Sequence, residues 1–575
     1  LDGSSLTRAQ LVAAARDGAK VALDAKQLER VQRAADFLAD KVNCGEPTYG
    51  VTTGFGSNAD KLLGAHRVRD ELPGSRTEVP EGTLLEELQH NLITTHAVCV
   101  GKPFAADVVR AMLVIRINTL MRGHSGIRVQ TLEALTAMLN AGVVPVVPEK
   151  GSVGASGDLA PLSHLAIVLL GGGEAFWHGE RLPGAEALKR AGLAPVRLSF
   201  KEGLALNNGT AQMLATGALA LHDLERLLDA ADLAAAMTLD AFAGRSGALR
   251  PEVHALRPHP GQTAVAAHVR ELLQGSTLVD IPYHLHQPQD AYCLRCMPQV
   301  HGAVRDAWAQ ACRVFDIELN AVTDNPLIFP DAEGAQFIEE QVISAGHFHG
   351  MPLALAMSYV KAAIPVLASI SERRLNKLVD PATNDGLPAF LTGNEDGTDS
   401  GFMIVQYTAA ALVNDLATRA HPASVYSVPT SANAEDHVSM GANEARHVLE
   451  MMEDLGHVIA LELYTAAQAL DYRQEMLNAA RRLAQRGGWQ ALAAKVANAP
   501  REGQPHHEQF VAEVHQLAEA LAGTSDFHAG TDVRRAHATL RQHIDFLHRD
   551  RALDGDVRTI CELLRQGVFH PAPAA

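Results

Sequence analysis

Apolar residues recur at helical spacing along most of the chain. The clearest case is a stripe sustained over six turns, made of Val448, Met452, Leu455, Ile459, Leu463, Ala466 and Leu470. Shorter stripes of the same kind run through 221–231 and 304–319. Side chains three and four positions apart share one face of a helix, so these segments predict long helices. Helices with so few charges must pack against one another or against another subunit, which predicts a mainly α fold containing a long-helix bundle.

Helical and extended patterns alternate in the first third of the chain. Residues 1–42 predict two amphipathic helices, 84–121 one long helix, and 159–170 an apolar helix. The run Val-Val-Pro-Val-Val-Pro at 143–148 predicts an extended segment, and 179–196 has the character of a small surface hairpin. The N-terminal part is therefore expected to be smaller and mixed in structure.

These patterns predict three parts. Residues 1–205 form the mixed N-terminal part, 206–480 the central long-helix bundle, and 481–575 a C-terminal helical layer. The residues Pro-Arg-Glu-Gly-Gln-Pro at 500–505 are typical of a linker. The layer after it is more charged than the bundle, so we expect it to shield or regulate the rest.

Composition narrows the class of protein. The chain has 575 residues, 47% of them hydrophobic and 20% charged, and a net charge of −17. An acidic chain without a basic stripe is a poor partner for nucleic acid. The six cysteines are scattered, and neither an apolar run of membrane-spanning length nor a signal peptide is evident. We therefore expect a cytoplasmic protein with no membrane or nucleic-acid partner.

One stretch of small residues has unusual chemical potential. Residues 151–164 read Gly-Ser-Val-Gly-Ala-Ser-Gly-Asp-Leu-Ala-Pro-Leu-Ser-His, with Ala155, Ser156 and Gly157 at the centre. Glycine tolerates a backbone bent tightly enough to bring the Gly157 nitrogen towards the Ala155 carbonyl carbon. Taken alone, the stretch is equally a glycine and serine turn ahead of an apolar helix, since short motifs carry a high false-positive rate.

Two further segments combine small residues with a polar side chain. The loop 46–56, Glu-Pro-Thr-Tyr-Gly-Val-Thr-Thr-Gly-Phe-Gly, leaves the hydroxyl of Tyr49 reachable, although a packed turn would have the same composition. The segment 201–210 carries Asn207 and Asn208 before a glycine. Either segment could contribute to a binding site or serve only as a connection.

Two more segments carry donors and acceptors. Gln289, Tyr292 and Arg295 could place three donors together, and arginine is a natural bidentate clamp for a carboxylate. A structural arginine paired with a nearby aspartate is the alternative. The neighbours Glu435 and Asp436 are, by themselves, as consistent with an exposed acidic loop as with a ligand contact.

Together these five segments resemble the histidine and aromatic amino acid ammonia-lyases, over roughly residues 1–480. The resemblance implies the helical fold of histidine ammonia-lyase. It also implies that Ala155, Ser156 and Gly157 cyclise with loss of two waters into 4-methylideneimidazol-5-one (MIO), an electrophile that needs no external cofactor. Tyr49 would then be the catalytic base, and Tyr292 a further catalytic residue. The substrate-binding residues implied in the same way are His96, Asn208, Gln289, Arg295, Phe348 and Glu435.

Glu435 bears most on the substrate. Histidine-type members of the family carry this glutamate, whereas tyrosine- and phenylalanine-type members tend to carry glutamine. A carboxylate can accept the imidazole N–H of histidine, while against a phenyl ring it would be left desolvated and unpaired. The resemblance thus favours L-histidine as substrate and urocanate as product.

Several alternatives stay open. The same scaffold serves tyrosine and phenylalanine ammonia-lyases and 2,3-aminomutases. Departures at Thr95, Asn207 and His347 leave room for a lyase acting on a betaine of a thiolated histidine. A helical scaffold without activity is a different class, disfavoured by the intact Tyr49 and Ser156.

Assembly and metals are the remaining expectations. Active sites of this family are shared among subunits, so the resemblance implies a homotetramer. The pairs His284/His286 and His347/His349 could suggest a metal, but no cysteine or carboxylate completes a tetrahedral set at typical spacing. We expect no metal site.

Overall fold

The computed structural model describes residues 1–43, 53, 84–281, 289–332, 340–394, 396–490 and 500–570. Most of these residues are helical, which confirms the predicted mainly α fold. The elements before residue 211 are α1 (Arg8–Ala15), α2 (Ala25–Asn43), α3 (Leu84–His96), β1 (Val100–Pro103), α4 (Ala106–Leu120), α5 (Val129–Asn140), β2 (Val144–Pro145), β3 (Pro148–Lys150), α6 (Leu159–Leu169), β4 (Glu174–Trp177), β5 (Glu180–Pro183), α7 (Gly184–Arg190) and α8 (Glu202–Asn207).

Longer helices dominate the rest of the chain. These elements are α9 (Ala211–Ala241), α10 (Pro251–Ala255), α11 (Pro260–Leu272), α12 (Tyr292–Arg295), α13 (Met297–Glu318), β6 (Leu327–Ile328), β7 (Val342–Ile343), α14 (Met351–Val379), α15 (Met403–Arg419), α16 (Gly441–Gln485), α17 (His507–Ala522), α18 (Thr531–His543) and α19 (Asp554–Arg565).

The single helix predicted over 84–121 is wrong, because the structure interrupts it. Helix α3 ends at His96, a short strand follows, and α4 begins at Ala106. In the strand Gly101 has φ of +99°, and Val100 pairs with Lys150 of β3 in an antiparallel ladder. A left-handed glycine and Pro103 are both poor continuations of a helix.

The extended segment and the hairpin are confirmed, with different bounds for the hairpin. β2 pairs with β4 and β4 with β5, giving a three-stranded antiparallel sheet in the order β2-β4-β5. The hairpin begins at Glu174, and the residues after it form α7.

The chain forms two compact units. The first contains residues 1–222, 309–361 and 421–450, and the second contains 223–308, 362–420 and 451–575. The division into parts at 205 and 480 stays a prediction about domain organisation.

Helices α3, α6 and α8 pack against one another in the first unit, and α4 packs against α1 and α5. Met112 and Leu113 of α4 are completely buried. This packing fixes the start of α6 and the end of α8, and both of these ends carry residues of the candidate site.

The apolar stripe predicted along α16 is confirmed as core. Leu455, Ile459, Leu463 and Leu470 have no exposed surface. Burial of each such side chain contributes about 1.5–3 kcal/mol relative to leaving it exposed. The stripe therefore supplies a large part of the core of the second unit.

The C-terminal helices belong to that same core. Helix α18 packs against α11 and α19. Val533, Leu540 and Ile560 are at most 1% exposed. The Gln468 side chain on α16 donates to the main-chain oxygen of Leu547 at 3.0 Å and accepts from its nitrogen at 3.1 Å.

Within the described ranges, α14 is long and apolar enough to cross a membrane, unlike what the sequence led us to expect. Its best window has a mean hydropathy of 1.7, and 56% of that window is buried inside the protein. Lys361, near its middle, is fully buried and donates to Glu444 at 2.7 Å. A buried ion pair near the middle of the helix is typical of a protein interior, so we interpret α14 as a core helix.

Candidate active site

The loop before α6 carries the three small residues singled out in the sequence. Gly154 and Gly157 have φ of +68° and +72°, and Asp158 directly precedes the helix. Ala155 is 3% exposed and Ser156 is half-buried. The loop is therefore held tightly while the serine hydroxyl remains reachable.

Gly157 lies against Gly209 in the turn after α8. The two residues form a parallel bridge, and the nitrogen of Asp158 donates to the Gly209 oxygen at 2.7 Å. A β-carbon at Gly157 would stand 2.2 Å from the Gly209 oxygen. Only glycine fits at this position, for reasons of both backbone conformation and space.

Asp158 anchors the loop through hydrogen bonds to its carboxylate. Its carboxylate is fully buried and accepts from the Ser152 hydroxyl at 2.7 Å and from the Met213 nitrogen at 2.9 Å. Burial raises the pKa of Asp158 to about 7, against the hydrogen bonds that favour its charged form. This aspartate stands in the motif, but the sequence alone gave it no role.

Glu435 meets Ser156 from a segment far away in the chain. The Ser156 hydroxyl donates to Glu435 Oε1 at 2.8 Å, and the Thr430 hydroxyl donates to Oε2 at 2.6 Å. Thr430 could not be recognised from the sequence, because a hydroxyl in a segment rich in serine and threonine forms no distinctive pattern.

A left-handed turn carries the chain from Thr430 to Glu435. The main chains of these two residues exchange hydrogen bonds of 3.0 and 3.3 Å. Between them Ser431, Ala432 and Asn433 have φ of +52°, +53° and +67°. For Ser431 and Ala432 this conformation costs roughly 1–2 kcal/mol each relative to the right-handed one, so the surrounding contacts must hold the turn.

The same segment is tied to the loop before α6 at two more points. The Ser439 hydroxyl donates to the Gly154 oxygen at 3.1 Å, and the Met440 nitrogen donates to the Val153 oxygen at 2.9 Å. Together with the Ser156 bond, these contacts fix Glu435 relative to the serine.

His96, at the end of α3, lies within the electrostatic reach of Glu435. Burial lowers the pKa of His96, while the negative charge of Glu435 opposes that shift. The Thr95 hydroxyl lies 3.2 Å from His96 Nδ1. Two of the predicted ring-binding residues therefore belong to one neighbourhood of the first unit.

Asn208 is buried at the end of α8. Its Nδ2 donates to the Asn325 oxygen at 3.1 Å, and its own main-chain oxygen accepts from Arg116 at 2.7 Å. Among the described residues, no partner reaches Asn208 Oδ1. The neighbouring Asn207, a departure from the family pattern, instead donates to Ser163 Oγ at 3.0 Å.

Beneath Asn208 lie three fully buried charges that sequence analysis did not single out. Lys201 donates to Asp324 at 2.6 Å, and the negative charge of Asp324 also favours the protonated form of Arg116. Burial lowers the pKa of both Lys201 and Arg116. Ion pairs without solvent depend on good geometry, so this trio specifies the position of the Asn208 turn.

The predicted carboxylate clamp lies in the second unit. Tyr292 opens α12 and is 72% exposed, and the Arg295 guanidinium stands 4.4 Å from the centre of its ring. Arg295 Nε donates to the Asp290 oxygen at 3.0 Å, and Gln289 is exposed.

In the first unit Phe348 is half-buried beside an exposed His347. Tyr49 lies outside the described residues.

One acidic group among the described residues has the spacing of a metal site. The ligand atoms of Asp229, Asp232 and His268 lie within 4.8 Å of one another. Arg305 donates to both carboxylates at 2.6 Å, and His301 donates to Asp232 at 2.7 Å. Arg305 already compensates the charge of both carboxylates, so the group is accounted for as an ion-pair and hydrogen-bond network.

Comparison with known proteins identifies the family of the chain. A family described as aromatic amino acid lyase matches residues 6–495. The histidine ammonia-lyase of Symbiobacterium thermophilum is 51% identical over 470 residues, which are 82% of this chain and 87% of that protein. That of Natranaerobius thermophilus is 41% identical over 567 residues, 99% of this chain and 97% of the relative. The crystal structure of histidine ammonia-lyase from Trypanosoma cruzi has a TM-score of 0.79 at 34% identity, covering 99% of this chain and 93% of that one.

The chain belongs to the aromatic amino acid lyase family. It is accordingly a carbon–nitrogen lyase, and the resemblance read from the five segments is confirmed.

Proposed function

We propose that this enzyme eliminates ammonia from L-histidine to give urocanate. The observation that carries the proposal is the 2.8 Å contact between Ser156 Oγ and Glu435 Oε1. It sets the carboxylate of a histidine-type lyase beside the serine of the cyclising tripeptide. Relatives that are named histidine ammonia-lyase and are 41% to 51% identical support the same substrate.

The tripeptide fits the MIO group. A β-carbon at Gly157 would meet the Gly209 oxygen at 2.2 Å, so the residue is held as glycine with its backbone in the left-handed region. The Ser156 hydroxyl, which would leave as water, reaches a hydrogen-bond acceptor. Once formed, the group supplies an electrophile for the amino group of the substrate.

The resemblance to the family, together with the chemistry of the side chains, supports the remaining roles. Glu435 accepts the imidazole N–H, and a neutral His96 packs beside the ring, since burial disfavours its protonated form. Arg295, with Gln289 and Tyr292, holds the substrate carboxylate through charge-assisted bonds. Asn208 Oδ1, which is buried and has no hydrogen-bond partner among the described residues, is offered to the substrate amine or to the MIO ring.

Tyr49 takes the β-proton in this scheme. A phenol has an ordinary pKa near 10, so it acts as a base only when its surroundings favour the phenolate.

We also propose a homotetramer, supported by an unusual face of α14. Exposed positions recur along this helix with alternating spacings of three and four: Pro352, Leu355, Tyr359, Ala362, Val366, Ser369 and Arg373. Leu355, Tyr359 and Val366 are 48% to 57% exposed. An apolar seam of that spacing is typical of a helix that packs against another helix. Light scattering at micromolar concentration tests it, and a monomer would contradict it.

A cytoplasmic location completes the proposal. Four cysteines in the described part of the chain, Cys99, Cys293, Cys296 and Cys561, are free thiols. Free thiols are the usual state in a reducing compartment.

The decisive experiment mixes the purified enzyme with L-histidine and follows the ultraviolet absorbance of urocanate. Coumarate or cinnamate from tyrosine or phenylalanine, or a β-amino acid, would instead indicate the aromatic lyase or aminomutase. Intact mass should show the loss of two waters from the encoded chain. In the Ser156→Ala variant the MIO group and turnover should both be absent, and full activity of that variant would refute the assignment.

A further inference from the structure

Thr430 holds the one oxygen of Glu435 that Ser156 does not touch. Its hydroxyl donates to Oε2 at 2.6 Å, and Ser156 donates to Oε1 at 2.8 Å. Each oxygen of the carboxylate thus has its own hydroxyl donor.

The main chain reinforces this contact. Thr430 and Glu435 exchange two backbone hydrogen bonds across the left-handed turn at 431–433. The Thr430 side chain is therefore fixed relative to the carboxylate by the loop that closes between the two residues. Three successive left-handed residues are energetically unfavourable. A turn kept despite this cost indicates that the structure requires Thr430 and Glu435 to lie together, and not only that the chain reverses direction.

The two donors have different fates. Formation of the MIO group removes the Ser156 hydroxyl, so Oε1 loses its donor. Thr430 retains its hydroxyl and continues to hold Oε2. The terminal torsion of a glutamate is broad and roughly two-fold, so a carboxylate with neither oxygen held could rotate away from the substrate.

We propose that Thr430 is a positioning residue for substrate specificity. By holding Oε2, it fixes the orientation of the carboxylate and leaves Oε1 free to accept the imidazole N–H of histidine. The inference deepens the proposed function and rests on it, since it assigns Thr430 an effect only on ligands that carry a ring N–H.

The test uses ligand binding to the full-length Ser156→Ala protein, which lacks the serine hydroxyl and cannot form MIO. Calorimetry measures its affinity for urocanate, which has an imidazole, and for cinnamate, which has a phenyl ring. Adding Thr430→Val, which keeps the shape of the side chain but removes the hydroxyl, should weaken the affinity for urocanate by about 10-fold or more. Affinity for cinnamate should change little, and Thr430→Ser should restore urocanate binding.

A double-mutant cycle with Glu435→Gln isolates the route of the effect. If Thr430 acts through the carboxylate, Thr430→Val should add no selective loss of urocanate binding once Glu435 is Gln. Equal loss of urocanate and cinnamate with a lower melting temperature would reduce Thr430 to a structural role and overturn the proposal. Unchanged binding of urocanate would do so as well.

Kinetics in the MIO-forming enzyme separate this inference from the proposed function. Failure of the unmodified enzyme to make urocanate overturns the function. Urocanate production with kcat/KM for histidine equal in the unmodified enzyme and Thr430→Val overturns only the role of Thr430. If Thr430→Val fails to fold, Thr430→Ala removes the same hydroxyl with a smaller side chain and must show the same selectivity.

Discussion

Gly157 and Gly209 lie so close together that a β-carbon on Gly157 would stand 2.2 Å from the Gly209 oxygen. The contact joins the loop before α6 to the turn before α9, which are more than 50 residues apart in the sequence. The shape of the tripeptide is therefore imposed by a neighbouring turn as well as by its own small residues.

Gly157→Ala should abolish both MIO formation and activity. The new methyl group overlaps the Gly209 oxygen, and the backbone at φ of +72° disfavours alanine besides. Intact mass, which reports the loss of two waters, and turnover of histidine are the measurements.

Gly142→Ala is the matched control for that substitution. Gly142 has the same φ of +72°, but nothing lies within 4 Å of its β-carbon position. It should cost roughly 1–2 kcal/mol of stability, the price of the backbone alone, with the MIO group intact. Equal behaviour of the two variants would mean that the contact with Gly209 is unimportant.

Glu435→Gln should weaken histidine turnover more than tyrosine turnover. A hydrogen bond to a charged group contributes about 1.5–3 kcal/mol, so kcat/KM for histidine should fall about 10- to 100-fold. Asp436→Asn removes the same charge from the adjacent, exposed side chain and should leave both rates nearly unchanged. A parallel loss on both amino acids in Glu435→Gln would show that this carboxylate does not read the ring.

The buried charges below Asn208 predict an asymmetry in stability. Lys201→Met leaves Arg116 and Asp324 as a balanced pair, whereas Asp324→Asn leaves two buried cations without their anion. Breaking a buried pair costs about 3–5 kcal/mol, and we expect Asp324→Asn to be the more damaging change. Denaturant unfolding measures both.

An exposed ion pair serves as the comparison. Arg181 and Glu174 are about half exposed, and Arg181→Met should change the free energy of unfolding far less than Asp324→Asn does. The prediction fails if Lys201→Met proves as costly as Asp324→Asn.

His447 should make the protein lose stability on mild acidification. Burial, with Lys361 and Arg446 nearby, lowers the pKa of His447 from 6.5 to about 4. Between these values the unfolded chain binds a proton that the folded chain does not, so the free energy of unfolding falls as pH decreases from 6.5 to about 4. His447→Gln should show a shallower decline between pH 7 and 5 in denaturant titrations. The exposed His90→Gln should keep the original slope.

Helical periodicity predicted the bundle because burial follows it closely there. Leu455, Ile459 and Leu463 of α16 are apolar and fully buried. The same reasoning failed at 84–121, where Val98 and Val100 continue an apolar pattern while being 68% and 65% exposed. An apolar residue on the surface is indistinguishable, in a single sequence, from one in the core.

The site could be predicted by resemblance but its contacts could not. Ser156 and Glu435 are 279 positions apart, so no local pattern brings them together. Thr430 and the Lys201–Asp324 pair were missed for the same reason, since their importance lies in what they touch.

The family match ends at residue 495, yet the hydrophobic interior does not. Val533, Leu540 and Ile560 are sealed from solvent in the second unit. Truncation of the chain to the matched region would expose the apolar surfaces against which these side chains pack. We expect such a truncated protein to aggregate. The part of the chain that follows residue 495 should therefore be retained in any expression or immobilisation experiment.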